Sequence, residues 1–333
     1  MTFPGSLDHV GLVAIGRNEG DRLKQCLTSV RDQLAHIVYV DSGSTDGSVE
    51  FAQSLGVDVV DLDLSIPFTA ARARNAGFRR LLELNPNLQF VQFVDGDCEV
   101  VAGWLTTAHQ ALVEHDDWAV VCGRRREKFP NHSIYNLLCD LEWDTPIGEA
   151  GACGGDSLMR VDAVKQVNGF NPALIAGEEP ELCVRLRQQD WKIWRLDHEM
   201  TLHDAQMMAF GQWWKRAKRA GHAFAEGASL HGKSEQRHWV RETRSTWLWG
   251  VAIPAIALLS AWPTHGLGLM LLLVYPLLVV KIFARFRSEM RPKPAFLYAL
   301  SCVIGKFAQA SGALQFVWNR LSGKRSSLIE YKA

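Results

Sequence analysis

A long stretch without charged side chains divides this chain into two parts. Between Ser245 and Val280 there is no Asp, Glu, Lys or Arg, whereas the preceding residues have the mixed composition of a globular domain. A segment with proline and glycine, 262–266, interrupts the stretch. Two antiparallel helices of about 17–19 residues would span roughly 26–29 Å, close to the thickness of a bilayer core. This pattern predicts a transmembrane hairpin; a pair of buried helices in a soluble domain is the alternative.

Basic residues flank this stretch on both sides, and its connecting turn has none. They are Arg237, Arg241 and Arg244 before it, and Lys281, Arg285, Arg287, Arg291 and Lys293 after it. Because basic segments next to membrane helices stay in the cytoplasm, both flanks and the domain before them are expected there. We therefore predict a hairpin with basic flanks at 236–294.

Two further segments have the composition of a membrane interface. Between Ala295 and Trp318 one apolar stripe is bounded by Lys306, Gln309 and Gln315, and a basic tail follows. This pattern predicts an amphipathic helix in the interface and a basic tail, together 295–333. The segment 212–219 (QWWKRAKR) would attract anionic lipid, with an ordinary solvated basic helix as the alternative.

The chain before residue 123 alternates between apolar strands and helical segments. Strands are predicted at 10–15, 36–40, 57–60, 90–94 and 118–122, and helices at 21–30, 49–55, 69–84 and 102–115. Strict alternation of this kind is typical of an α/β fold with a doubly wound, parallel sheet.

Polar side chains follow three of these strands, and parallel strands place their ends on one edge of the sheet. They are Asn18 and Glu19, then Asp41, then Asp95 and Asp97. The Asp-Gly-Asp sequence offers hard oxygen ligands to Mg²⁺ or Mn²⁺, which keep open positions for substrate phosphate. A nucleotide diphosphate is therefore the expected ligand. Each cluster alone is also explained by turns and helix caps.

Composition limits the partners and the compartment. Lys+Arg and Asp+Glu both number 36, so nucleic acid is not an expected partner. The scattered cysteines have no C-x-x-C pairing, which is typical of free thiols in a reducing compartment. The first nine residues lack the basic and apolar regions of a signal peptide.

The motifs as a set resemble family 2 glycosyltransferases over about residues 8–230. They are GRNE at 16–19, DSGSTDG at 41–47, ARNAG at 73–77, DGD at 95–97, GGDSLMR at 154–160, VNGF at 167–170 and GEEPELCVRL at 177–186. The resemblance implies a GT-A catalytic domain at 1–235, with a donor half at about 8–123 and an acceptor half at about 124–235.

The resemblance also assigns donor and metal residues. Asn18, Glu19 and Asp41 would contact the nucleoside, Arg74 the base or diphosphate, and Asp95 the ribose. Asp97 would bind Mn²⁺ or Mg²⁺, and His203, placed a little beyond a strand at 192–196, would complete the metal site. The alternative for Arg74 is a solvated charge on its helix, and for His203 a structural histidine.

The same resemblance assigns the acceptor side. Family members have a Glu-Asp pair whose aspartate is the proposed base, but this chain has Glu178-Glu179, so Glu179 takes that position and Glu178 is the other candidate. An acidic first turn that merely suits the helix dipole is the alternative. Gly154, Gly155 and Asp156 would form a loop beside the acceptor, although Asp156 also suits a turn.

These expectations combine into one functional prediction. The chain would be an inverting, metal-dependent glycosyltransferase that uses a nucleotide-sugar donor and a polyprenyl-linked glycan or lipid acceptor. Its setting would be polysaccharide assembly at a bacterial cytoplasmic (inner) membrane, in contact with membrane lipids. A sugar nucleotidyltransferase and a non-catalytic membrane scaffold are the alternatives.

Overall fold

The computed structural model describes residues 7–324 and 326–330; Arg325, in the predicted basic tail, lies outside them. The described chain forms two compact units. The first runs to Phe129 and includes Cys139–Ala205, and the second comprises Pro130–Leu138 and the part from Gln206 onwards. This division differs from the predicted domain boundary at 235, and the predicted domain functions stay predictions.

The first unit contains a nine-stranded sheet flanked by helices. Its strands are β1 (Val10–Gly16), β2 (His36–Asp41), β3 (Asp58–Asp61), β4 (Phe90–Asp95), β5 (Cys98–Val100), β6 (Trp118–Glu127), β7 (Gly148–Glu149), β8 (Ser157–Arg160) and β9 (Lys192–His203). Its helices are α1 (Asp21–Arg31), α2 (Ser48–Ser54), α3 (Ala70–Leu84), α4 (Trp104–Glu114), α5 (Ile134–Glu142, which begins in the second unit), α6 (Val161–Gln166) and α7 (Glu178–Arg187).

The sheet is mixed rather than wholly parallel. Its order is β3-β2-β1-β4-β8-β6-β9-β5, with β7 also paired to β9. The strands β3, β2, β1 and β4 are parallel, as the alternation predicts, but β8 inserts antiparallel between β4 and β6. The prediction of an α/β fold is confirmed, and the predicted parallel pairing holds for these four strands. The sheet as a whole is mixed because β8, which lies beyond the alternating part of the sequence, runs antiparallel to both its neighbours.

The core lies between the sheet and its helices. The strands β1, β2 and β4 are almost fully buried, and each reads as a continuous apolar run because both faces are covered. A glycine permits the closest helix approach: a Cβ on Gly77 of α3 would lie 2.4 Å from Cγ1 of Val13. This explains the glycine of the ARNAG motif by packing alone.

The second unit is helical. It contains α8 (Phe210–His231), α9 (Val240–Trp247), α10 (Ile253–Ala261), α11 (Val274–Phe286) and α12 (Pro292–Leu321). A π-helical turn at 248–252 joins α9 to α10, and a 3-10 segment at 267–273 leads into α11. Within α12 the buried residues are mostly alanines and glycines, whereas Phe296, Leu314 and Trp318 are exposed. The buried face of α12 is therefore formed mainly by small residues, and the placement of this helix in a membrane interface stays a prediction.

A helical hairpin occupies the charge-free stretch. The turn at 262–266 contains His265 and Gly266, both with positive φ. Large apolar side chains on both arms are exposed, including Leu259, Trp262 and Leu277. Among the described residues one helix, Leu267–Phe286, is long and apolar enough to cross a membrane by length and composition. The charge-free stretch thus contains helical segments joined by a turn, and the predicted transmembrane hairpin stays a prediction.

Candidate active site

The loop after β2 is organised by Asp41. Its carboxylate accepts hydrogen bonds from the backbone N–H groups of Gly43 and Ser44, both at 2.8 Å, and from the hydroxyls of Tyr39 and Ser44. Asp41 is itself buried. The structure thus gives this residue a role in shaping the loop, and its predicted contact with a nucleoside stays a prediction.

The loop after β1 is tied to the same loop by Asn18. The backbone N–H of Asn18 donates to Ser44 Oγ at 2.9 Å, and its side-chain oxygen accepts from the N–H of Thr45 at 2.7 Å. Glu19 forms an ion pair with Arg22 at 2.7 Å. A Cβ on Gly96 would lie 3.4 Å from Glu19 Cγ, so this side chain reaches the Asp-Gly-Asp turn.

Arg74 is the buried centre of the site. Its guanidinium donates to Asp95 Oδ1 at 2.6 Å and to Glu178 Oε1 at 2.7 Å, and it stacks over Phe170. Burial alone would lower the pKa of Arg74, but the two carboxylates raise it above the usual arginine value. The solvated alternative for Arg74 is wrong, because its side chain is only 3% exposed.

A second buried arginine, which the sequence analysis missed, supports Asp95 from the other side. Arg125 pairs with Asp156 at 2.8 Å and approaches Asp95 at 3.7 Å. It lies on β6, which continues past the predicted end at Cys122. Three consecutive arginines carry no apolar alternation, so the sequence gave no sign that the strand continues here or that Arg125 enters the site.

Asp156 belongs beneath the site rather than at its surface. Its side chain is fully buried, accepts from the backbone N–H of Asp95 at 3.1 Å and from the Thr201 hydroxyl at 2.7 Å, and pairs with Arg125. A buried carboxylate with these partners positions other residues. Its location therefore does not support direct acceptor contact, and the acceptor-side prediction is kept for Gly154 and Gly155.

Asp97 and His203 meet through strand pairing. Cys98 of β5 pairs with His203 at the end of β9, and this register brings His203 Nε2 to 3.1 Å from Asp97 Oδ2. The strand β9 therefore extends to His203, whereas the sequence predicted that it ends at Leu196. Burial and the charge of Arg125 lower the pKa of His203 to about 4, so its imidazole is neutral at pH 7.

The chemistry of this pair fits Mn²⁺. A carboxylate and a neutral imidazole are both suitable ligands for this ion. Glu127 Oε2 lies 4.0 Å from His203 Nδ1, and that nitrogen has no hydrogen-bond partner among the described residues. A carboxylate behind the distal nitrogen is the usual support for a metal-binding histidine.

The two glutamates at the start of α7 have different surroundings. Glu178 is held by Arg74, whereas Glu179 Oε1 accepts from the backbone N–H of Cys153 at 2.7 Å and contacts the thiols of Cys153 and Cys183. Burial raises the pKa of Glu179 above the usual glutamate value. Glu179 is therefore a more basic carboxylate than an ordinary glutamate.

Gly155 lies against the arginine cluster. A Cβ at this position would be 2.8 Å from Asp95 Oδ2, 3.0 Å from Arg74 and 3.1 Å from a guanidinium nitrogen of Arg125. Gly154 has φ of 79°, a conformation that favours glycine. The loop thus needs Gly154 for its backbone conformation and Gly155 for the close approach of three side chains.

Gly155→Ala is expected to displace the ion cluster. Overpacking of this kind destabilises by about 1–3 kcal/mol, which thermal unfolding of the purified protein measures. Gly151→Ala is the matched control. Apart from the two adjacent residues, the nearest atom to a Cβ on Gly151 would be Nη1 of Arg187 at 3.7 Å, an ordinary van der Waals contact. Equal unfolding temperatures for the two variants would contradict the close approach.

The chain is similar to known proteins both in sequence and in fold. The model of glycosyl transferase family 2 matches residues 13–166. The succinoglycan biosynthesis protein ExoA of Rhizobium meliloti (strain 1021) is 25% identical over 197 residues, which cover 54% of this chain. That match spans 58% of ExoA, so the chain corresponds to little more than half of this relative.

Solved structures share the fold at low sequence identity. The mannosyltransferase PcManGT from Pyrobaculum calidifontis, solved with GDP-Man and Mn²⁺, has a TM-score of 0.64 at 16% identity, covering 96% of this chain and 90% of its own. S. aureus TarS (1–349) has a TM-score of 0.50 at 14% identity, covering 95% of this chain and 92% of its own. Residues 13–166 of the chain thus resemble glycosyl transferase family 2, and the chain has the GT-A fold that these solved structures share.

Proposed function

We propose that the chain is an inverting, cation-dependent glycosyltransferase that moves a sugar from a nucleoside diphosphate to an acceptor hydroxyl. One observation carries this proposal: Asp95 and Asp97 lie at the end of one strand, between Arg74 with Glu178 on one side and His203 on the other. A family match and the fold shared with a GDP-Man-bound mannosyltransferase support it.

On the donor side, Asn18 and Asp41 would shape the loops around the nucleoside, and Asp95 would face the ribose. Arg74 would hold Asp95 in place. Asp97 and His203 would bind Mn²⁺ or Mg²⁺, and a cation there offsets the negative charge that develops on the leaving diphosphate.

On the acceptor side, Glu179 would take the proton of the attacking hydroxyl. The acceptor oxygen bonds to the anomeric carbon as the diphosphate leaves from the opposite side, which inverts that carbon. The pKa of Glu179, raised by burial, makes its carboxylate a stronger base than a solvated glutamate. Glu178 would instead position Arg74 through their ion pair.

Glu179→Gln is expected to lower kcat by about 10²–10⁴-fold, the usual contribution of a general base, with KM for the donor little changed. Steady-state kinetics measures both constants. Glu83→Gln is the control, because Glu83 is an exposed residue on α3. A higher KM for the donor with an unchanged kcat would assign Glu179 to binding rather than to proton transfer.

The pH dependence follows from the direction of the same pKa. The base works as a carboxylate, so activity is lost as the pH falls through the pKa of Glu179. Because that pKa is raised, the acidic limb of kcat is expected above the ordinary glutamate value of 4.5. An acidic limb at or below that value, in an enzyme that stays folded, would contradict the assignment.

We further propose a lipid-linked or glycan acceptor at the cytoplasmic face of a bacterial inner membrane. The exposed apolar side chains of the hairpin and the helix Leu267–Phe286 support membrane insertion. The similarity to a succinoglycan biosynthesis protein supports polysaccharide assembly. Basic residues on both flanks of the hairpin support cytoplasmic termini.

Thiol labelling in sealed spheroplasts tests this topology. In a Cys302→Ser background, His265→Cys in the turn is expected to react with an impermeant maleimide from outside, whereas Ser288→Cys after the hairpin reacts only once the membrane is opened. The other cysteines are buried. Equal labelling of both sites before lysis would overturn the hairpin topology.

A further inference from the structure

Two thiols flank the carboxylate of Glu179. The sulfur atoms of Cys153 and Cys183 lie 3.7 Å apart, and they lie 2.9 and 3.0 Å from Glu179 Oε1. All three side chains are buried. The proposed transfer mechanism uses only the carboxylate of Glu179 and gives the two thiols no role.

The local fold fixes this arrangement. Glu179 and Cys183 are four residues apart on α7, so their side chains share one face of the helix. Cys153 is held against them because its backbone N–H donates to Glu179 Oε1 at 2.7 Å. Exposed residues on both sides of Cys153, Ala152 and Gly154, bring the site close to solvent.

We propose that Cys153, Cys183 and Glu179 form a binding site for Zn²⁺ or a similar thiophilic ion, and that occupancy inhibits transfer by withdrawing Glu179 from the acceptor. Two thiolates at about 2.3 Å from a tetrahedral Zn²⁺ are separated by roughly 3.8 Å, close to the separation of this pair. A carboxylate oxygen is the third ligand, and tetrahedral zinc leaves a fourth position for water.

The site differs in chemistry from the Asp97–His203 pair. Thiolates select zinc-like ions, whereas carboxylate and imidazole suit Mn²⁺. The same protein would therefore be activated by a hard cation at one site and inhibited by a soft cation at the other. The inhibition rests on the proposed role of Glu179; the binding does not.

Binding exchanges protons for the ion. Each thiol loses one proton to solvent as its sulfur bonds to the ion, and Glu179 binds as the carboxylate, so no oxidant or reductant takes part. Burial raises the pKa of both Cys153 and Cys183, which makes their protons harder to remove. Affinity is therefore expected to increase with pH.

Titration with Co²⁺, a spectroscopic substitute for Zn²⁺, tests binding without activity. The reduced full chain in detergent is expected to show a thiolate-to-cobalt absorption band that saturates at one ion per chain. Cys153→Ser and Cys183→Ser should each weaken binding by at least about tenfold, since even the loss of an outer partner costs 10–100-fold. Cys302→Ser, on α12, is the matched control and should keep the band.

The fold is checked in the same variants by thermal unfolding without metal, and a Cys183→Ala variant gives a second test of the same ligand. A band that persists at full strength in folded Cys153→Ser and Cys183→Ser protein, or no band in the wild type, would overturn the site. Either result leaves the proposed transferase function standing.

Inhibition is measured separately. With Mn²⁺ in excess, added Zn²⁺ is expected to reduce donor turnover at least tenfold in the wild type and in Cys302→Ser, and a chelator selective for zinc should restore it. Cys183→Ser should need at least tenfold more Zn²⁺. Cobalt binding at the thiols together with zinc-insensitive turnover would refute the inhibitory role and point to a base other than Glu179.

Discussion

Asp97→Asn is expected to reduce cation-dependent sugar transfer by about a thousandfold or more. The amide keeps the size of the side chain but removes the negative charge beside His203 that the proposed cation site needs. Cation stabilisation of a leaving diphosphate contributes several kcal/mol, and about 4 kcal/mol corresponds to roughly 10³ in rate. Turnover at saturating donor measures the loss, and calorimetric titration with Mn²⁺ in the presence of nucleoside diphosphate should show weakened binding.

Asp116→Asn is the matched control, because the side chain of Asp116 is fully exposed. It should keep wild-type turnover and cation affinity. Unchanged transfer in Asp97→Asn would remove Asp97 from the metal site. If that variant also supported polysaccharide assembly in cells at the wild-type level, a non-catalytic scaffold would explain the function of the protein better than a cation-dependent transferase.

Arg74→Gln is expected to be the most destabilising substitution near the site. It leaves the buried Glu178 and the partly buried Asp95 without their shared cation. Removing one partner of a buried ion pair costs about 3–5 kcal/mol, which corresponds to a fall of roughly 6–20 °C in Tm for a domain of this size. Thermal unfolding in detergent, followed by circular dichroism, measures the change. Donor binding should weaken as well, since Asp95 loses its position.

Two further variants separate charge from packing. Arg80→Gln lies on the same helix, but Arg80 pairs with Asp58 at the surface, so little change in Tm is expected. Adding Glu178→Gln to Arg74→Gln removes an unpaired buried carboxylate and should recover part of the lost stability. If Arg74→Gln unfolded no earlier than Arg80→Gln, the buried ion cluster would not have the energetic role assigned to it.

The donor side of the fold was predictable from the sequence because its signals are local. Each of β1, β2 and β4 is a continuous apolar run that ends in a polar cluster, and parallel pairing aligns those ends. Asp41, Asp95 and the Asn18 loop therefore lie on one edge, as the order of the strands indicates. The boundaries of these strands are confirmed to within one residue.

The rest of the site was less predictable because its contacts join distant segments. The pairing of β5 with β9 that brings His203 to Asp97 leaves no local pattern, and the short strand β5 was not predicted. Arg125 and Asp156 were misread or missed because a buried ion pair looks like two solvated charges in a sequence. The thiol neighbours of Glu179 are also visible only in three dimensions.

In the second unit the sequence predicted helices but not how they pack. The apolar stripe of α12 predicted a helix in the membrane interface and gave no sign of its contact with α8, where glycine permits the close approach: a Cβ on Gly312 would clash with the backbone of Lys218. Small residues let helix backbones approach closely, which leaves the larger apolar side chains on the outside.

The most direct test of the account is a screen of nucleotide sugars with the membrane-embedded protein, recording release of nucleoside diphosphate with Mn²⁺, with Mg²⁺ and with a chelator. At least one nucleotide sugar is expected to release nucleoside diphosphate in the presence of a cation. Chelator should abolish the release, and an excess of Mn²⁺ should restore it. Release that continues unchanged in chelator would contradict a cation held by Asp97 and His203 at the centre of this site.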